Sequence, residues 1–174
     1  MKLSEKKAGK IFKTKTKEFI VLEHFDNGTT AVIQKDFWKY ARFDRNTSKF
    51  AKSESYKDLN TNYYKELADE IGEENIIEHD VDLTMNTGHK DYGLIKAKIS
   101  LITEDIFRRY VEILDENNPR EWWWTATADS RQFPSCVRYV FSFGSLDGSD
   151  CNSSLGGVRP FCIVKSNILV SKGE

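Results

Sequence analysis

Trp122-Trp123-Trp124 opens, and Gly156-Gly157-Val158-Arg159-Pro160-Phe161 closes, the part of the chain whose reading decides the fold. Three adjacent indoles cannot all decorate a surface, because each brings a large apolar body and one N–H donor that needs a packed site. In an extended segment neighbours point to opposite faces, so at least one indole is core and its neighbour looks the other way; Trp123 is assigned to the core. Arg159, held between Val158 and Pro160 at a rigid extended corner, has five donors to satisfy within an apolar strand. It is therefore expected to be buried and bonded to backbone carbonyls or a carboxylate beside the tryptophan strand. Gly156-Gly157 precedes a strand rather than a helix and reads as a turn.

Between these landmarks, residues 125–155 are rich in Ser, Gly, Asp, Asn and aromatics, a composition that suits binding better than catalysis. Within them Val137 to Phe143 (VRYVFSF) reads as a strand with Tyr139, Phe141 and Phe143 at period two on one face. Either that face is core, or Val140 points inward and the three aromatics stand outward beside the loops Arg131–Pro134 and Ser145–Ser154. The second arrangement would make a rigid aromatic patch rimmed by Ser, Asp and Asn.

Upstream, Glu18–His24 and Thr29–Gln34 flank Asp26-Asn27-Gly28, which predicts a β-hairpin with Asn-Gly supplying positive-φ residues. Ser55 to Ile71 predicts a helix capped by Ser55, with Tyr56, Leu59, Tyr63, Leu67 and Ile71 as its buried stripe. Ile77, His79, Val81 and Leu83 alternate with acidic residues, and Ile95, Ala97, Ile99 and Leu101 with polar ones, as strands buried on one face. Thr103 caps a second helix carrying Ile106, Tyr110, Ile113 and Leu114, stopped by Asn117-Asn118-Pro119. Short strands at Trp122–Thr125, Val137–Phe143 and Val158–Val164 complete an α+β order with a C-terminal antiparallel sheet and long loops.

The 174 residues carry a formal net charge of −1, unevenly placed. Residues 1–17 hold seven lysines against one glutamate, which reads as a solvated basic lead; residues 1–8 are taken as an arm and 9–174 as a single domain. Nucleic acid is the less favoured partner. No apolar run approaches a membrane span, and no signal-peptide apolar core precedes the domain, so a cytoplasmic or virion-associated protein is expected. Cys136, Cys151 and Cys162 lack CxxC spacing and read as free buried thiols. His24, His79 and His89 have no metal-ligand spacing, and His79 reads as a structural histidine. No phosphate-cradling loop, nucleophile elbow or paired carboxylates appear, and no cofactor, metal or catalytic residue is assigned. Asp147 and Asp150 share a loop open to calcium, but two carboxylates are too few to argue a site.

The joint pattern resembles a family of uncharacterised proteins from Firmicutes and their phages whose C-terminal half looks like a C-type-lectin-like domain. Its elements are Trp122–Trp124, Val-x-x-Val-x-Ser-x-Gly at 137–144 and Gly-Val-Arg-Pro-Phe-Cys-Ile at 157–163. Phe19–Glu23, Asp26–Val32, Val81–Thr84 and Ile99–Thr103 extend the likeness to about residues 9–170. The resemblance implies a C-type-lectin-like fold, shared with formylglycine-generating enzymes and phage receptor-binding tips, more firmly than any function.

It further implies that 125–155 is similar to the variable region of retroelement-diversified proteins. Trp123, Val137, Val140, Ser142, Gly144, Gly157, Val158, Arg159 and Pro160 would then be scaffold. Tyr139, Phe141, Phe143, Asp147, Ser149, Asn152 and Ser154 would be the changing ligand-binding positions. Cys136 and Cys151 do not match the copper-binding pair of the enzymes. The leading expectation is a non-enzymatic phage or prophage protein that binds a protein or glycan. An intracellular phage inhibitor of a host defence protein comes second, and a formylglycine-generating-type enzyme last.

Overall fold

The structure, a computed structural model, describes residues 1–172. Its strands are β1 (Ile11–Lys13), β2 (Glu18–His24), β3 (Thr29–Gln34), β4 (Lys39–Tyr40), β5 (Ile76–Ile77), β6 (His79–Asp82) and β7 (Leu94–Ala97). The C-terminal third adds β8 (Trp123–Ala128), β9 (Cys136–Val140), β10 (Leu146–Asp150), β11 (Gly157–Val158), β12 (Phe161–Lys165) and β13 (Ser171–Lys172). One sheet runs β13-β1-β2-β3-β12-β5, a second β10-β9-β8-β11-β4, and β6 with β7 forms a separate ribbon. Pairing is antiparallel except where Gly157 lies parallel to Trp123. The α+β class with antiparallel sheets is as expected.

The hairpin of β2 and β3 spans the residues expected, but its turn differs. The Phe25 amide donates to the Thr29 carbonyl (2.8 Å) and the Gly28 amide to the Phe25 carbonyl (3.2 Å). Only Gly28 has positive φ, at +80°, so the loop holds three residues and Asn27 keeps ordinary backbone. Asn27 instead accepts from the Thr29 amide and hydroxyl through Oδ1.

The first helical segment runs over 54–71, as α1 (Glu54–Asp58), a π turn (Leu59–Tyr63) and α2 (Tyr64–Ile71). Ser53, not Ser55, is its cap, accepting from the Tyr56 amide at 3.0 Å. Ser55 lies inside the first turn, where its amide donates to the Phe43 carbonyl at 3.1 Å. Leu59, Tyr63 and Leu67 are buried as the stripe requires, with Tyr56 and Ile71 at its half-buried ends. Thr103 does cap the second segment, accepting from the Ile106 amide at 3.2 Å, and the helix breaks at Tyr110 into α3 (Glu104–Arg109) and α4 (Val111–Glu116).

Strand β8 is buried along its whole length because both of its faces are covered. Trp124 packs with Phe43, Val137, Cys151 and Val158 on one side. Trp123 packs with Phe107, Leu114, Val140 and Phe161 on the other. Adjacent indoles thus anchor two cores, which is what strand alternation predicts.

Expected as one strand, Val158–Val164 is two. The chain leaves the second sheet after Val158, turns at Arg159-Pro160 and enters the first sheet at Phe161. Gly156-Gly157 is not a free turn either. A Cβ at Gly156 would lie 2.2 Å from Nε1 of Trp124, and one at Gly157 would lie 2.5 Å from the Phe37 ring, so both positions exclude side chains by close packing.

Residues 1–8 are not a solvated arm. Leu3 is fully buried, and the amides of Leu3 and Ser4 donate to the carbonyls of Ile168 (2.9 Å) and Ser166 (2.8 Å). One apolar residue among lysines is enough to pin the segment, and the partners that hold it lie more than 160 residues away in sequence. His79 sits where expected, donating to or accepting from the Ser100 hydroxyl through Nε2 (2.9 Å), with burial pushing its pKa down to about 4. The three cysteines are free; Cys151 and Cys162 are buried and Cys136 is half-buried.

Candidate binding face

Arg159 fixes the floor of the face. Its Nε donates to the Gln34 carbonyl (2.9 Å) and its Nη2 to the Asn117 carbonyl (3.2 Å). The guanidinium carbon stands 4.9 Å from the Trp123 ring centroid. One side chain thus ties the first sheet, the end of α4 and β8 together. It is fully buried, as expected, and burial without a carboxylate partner drives its pKa down to about 9. Pro160, also buried, lends its carbonyl to the Gln34 amide.

Above this floor β9 is packed on both faces: Val140 joins Trp123 on one side, while Val137 and the half-buried Tyr139 pack with the core around Trp124 on the other. Neither arrangement read from the sequence holds alone, since Tyr139 borders a core whereas Phe141 and Phe143, beyond the strand, are exposed. β9 stops at Val140, earlier than the expected Phe143, because a tight turn follows. The Phe141 amide donates to the Ser145 carbonyl (2.7 Å), the Gly144 amide donates to the Phe141 carbonyl (2.8 Å), and Gly144 takes φ +83°. Asn118 supports the turn by donating its side-chain amide to the carbonyls of Phe141 and Ser142.

The rings of Tyr139, Phe141 and Phe143 join Trp122 and Trp124 in a continuous ladder. Successive centroid separations are 4.9 Å for Trp124–Trp122, 4.8 Å for Trp122–Tyr139, 6.4 Å for Tyr139–Phe141 and 5.7 Å for Phe141–Phe143. The ladder climbs from the core to the tip, with Tyr139 half-buried, Phe141 38% exposed and Phe143 90% exposed.

Tyr40 (53% exposed) and Leu155 (71% exposed) stand with Trp122 and Phe141 around an open cleft of about 560 Å³, edged by Arg120, Glu121 and Ser142. Neither Tyr40 nor Leu155 was assigned from the sequence. They come from β4 and from the loop before β11, and only the sheet order brings them beside the turn. Tyr40 closes the aromatic run Phe37-Trp38-Lys39-Tyr40, which gives no local sign of which ring borders a cleft.

Asp147 is paired with Tyr139 across β9 and β10 and so shares its face. It also accepts from the following amide, Gly148, at 2.7 Å. β10 is the edge of its sheet. Ser149 lies two residues on, opposite buried Val137, while Asn152 and Ser154 are exposed in the turn after Cys151. Of the seven assigned positions, the structure therefore groups Tyr139, Phe141, Phe143 and Asp147. Ser149, Asn152 and Ser154 sit at increasing remove along the same edge.

Among the described residues no group of three or more His, Cys, Asp or Glu is placed to hold a metal ion, and no helix is long and apolar enough to cross a membrane. Compared with known proteins, the chain matches no family model, no curated protein and no solved structure.

Proposed function

We propose that the chain is a non-enzymatic ligand-binding protein of phage or prophage origin. In this reading a C-type-lectin-like scaffold presents residues 125–155 to a protein or glycan. Tyr139, Phe141 and Phe143 lead the contact, Asp147, Ser149, Asn152 and Ser154 border it, and Tyr40, Trp122 and Leu155 extend it.

The observation that carries the reading is Phe143, a large apolar side chain 90% exposed at the tip of a turn, next to further exposed apolar side chains. A contiguous apolar patch with a polar rim is the usual mark of an interaction site. Burial supports a division between scaffold and changing positions in part, since Ser142 and Gly144 are only half-buried. Trp123, Val137, Val140, Gly157, Val158, Arg159 and Pro160 are buried, whereas every proposed contact position has some exposure. Such a division lets contact residues change without touching the core.

Tyr40→Ser with Phe143→Ser tests the reading. The double variant should retain the parent's melting temperature within a few degrees and lose capture of the ligand in host-extract pull-downs and on a glycan array. Unchanged capture by a folded double variant would move the binding surface elsewhere.

A further inference from the structure

We infer that the ligand of this face is a polypeptide segment presenting an apolar anchor flanked by lysine or arginine; the inference rests on reading the face as the binding site. The cleft is walled by Tyr40, Trp122, Phe141 and Leu155, which offer rings and a branched alkyl group rather than directional partners. Its polar contributions come from Ser142, Arg120 and Glu121, and Glu121 is already engaged by the Tyr40 hydroxyl. A saccharide seated there would rest on Phe141 and Leu155 by its C–H faces, with only Ser142, Arg120 and Glu121 lining the cleft to give its hydroxyls directional partners. A leucine, isoleucine or aromatic side chain needs no such partners and fills an open apolar cleft as an interface anchor does.

The charge around the cleft selects the flanks. Glu121 edges it, Asp147 stands across the strand from Tyr139, and the Asp115 carboxylate abuts the turn so closely that a Cβ on Gly144 would meet its Oδ1 at 2.8 Å. None of these three carboxylates has an ion-pair partner among the described residues. Elsewhere acidic groups beside cations are engaged, as Glu18 is with Lys13 and Lys35, Glu70 with Lys17 and Asp91 with Arg131. Arg120 and Glu121 are the two charged residues lining the cleft, and Asp115 and Asp147 add unpaired negative charge beyond it, at the turn and beside Tyr139. The complement of an apolar centre with an acidic rim is an apolar anchor between basic residues.

A phage-displayed random dodecapeptide library panned on the intact chain tests this, with depletion on the Tyr40→Ser/Phe143→Ser chain and a glycan array run in parallel. Enriched sequences should hold Leu, Ile, Phe or Trp within two residues of Lys or Arg. Synthetic versions should bind about tenfold more weakly to Glu121→Gln/Asp147→Asn, and more weakly as salt is raised, because rim charges act through screened attraction. Enriched peptides that are acidic, or indifferent to the carboxylate substitutions, would overturn the charge assignment. Glycan binding abolished by the Tyr40/Phe143 changes would overturn the ligand class and leave the face intact. So would sedimentation showing that the face joins two copies of this chain. If no probe distinguishes the parent from the folded Tyr40/Phe143 variant, the face itself falls.

Discussion

Two turns in this molecule share one backbone and carry opposite tips. Phe25–Thr29 and Phe141–Ser145 each place an amide-to-carbonyl pair across five residues, a second bond from the fourth residue back to the first, and a glycine at φ +80° or +83° in fourth place. The first tip is Asp26-Asn27, polar and exposed, with Asn27 bonded into the turn. The second is Ser142-Phe143, with the phenyl ring 90% in solvent. Since the first turn forms without an aromatic tip, folding does not require Phe143. Its exposure is a cost to solubility that function has to justify.

The largest test of this comparison lies beneath the second turn. Trp123→Ala should destabilise the chain by about 3–5 kcal/mol in urea titrations, because it empties a fully buried indole site and removes the ring under Arg159. A harmless Trp123→Ala would mean the second turn stands on a different floor.

A third turn, at residues 14–17, sharpens the contrast, since it has no glycine and is held from outside by Glu70. Both threonine hydroxyls, the Thr16 amide and Lys17 all donate to that carboxylate. Despite burial, which acts the other way, these donors hold its pKa down at about 2. Glu70→Gln should cost about 2 kcal/mol at neutral pH, the scale of hydrogen bonds to a charged group. Because the folded pKa is depressed, this stabilisation is present above the unfolded value near 4.5 and is lost as pH falls toward about 2. Parent and variant denaturation curves should therefore converge across that window, and a gap that persists at pH 2 would refute the assignment.

Smaller still is the comparison of the two glycines. Gly28→Ala meets nothing within 4 Å and pays only the left-handed backbone, about 1 kcal/mol. Gly144→Ala adds a clash with Asp115 and should cost about 1 kcal/mol more. Equal losses in paired melts would show that Asp115 yields freely. Smallest is the exchange Ser142→Asp/Phe143→Asn, which copies the first tip onto the second. Stability should change by less than about 0.5 kcal/mol while ligand capture disappears. An exchange that keeps binding would take the tip out of the site.

Features written in short-range pattern were legible in the sequence. The β2–β3 hairpin followed from two apolar runs flanking Asp-Asn-Gly, the Thr103 cap from its acidic first turn, and the burial of Arg159 from its place in an apolar strand, although its Nη1 finds no partner there. The first helix cap lies two residues before the one read because Ser53 and Ser55 are equally competent locally. The single strand read at 158–164 hid a change of sheet at Arg159-Pro160, which periodicity alone cannot register. At the site, the aromatic stripe was visible but its direction was not, because period two fits either face. Tyr40 and Leu155 were invisible for a stronger reason: they join the cleft through the pairing of β4, β11 and β8, a long-range event that leaves no mark in either local stretch.

Asp147 has a role that binding alone does not explain. It occupies the outermost strand of a sheet, next to exposed aromatic rings, where an open row of backbone groups could recruit another chain into an endless ribbon. By folding its carboxylate onto the Gly148 amide it removes one of those donors, and its charge repels a second strand approaching in register. The border of the proposed binding face thereby also opposes edge-to-edge pairing beside the exposed Phe143 ring.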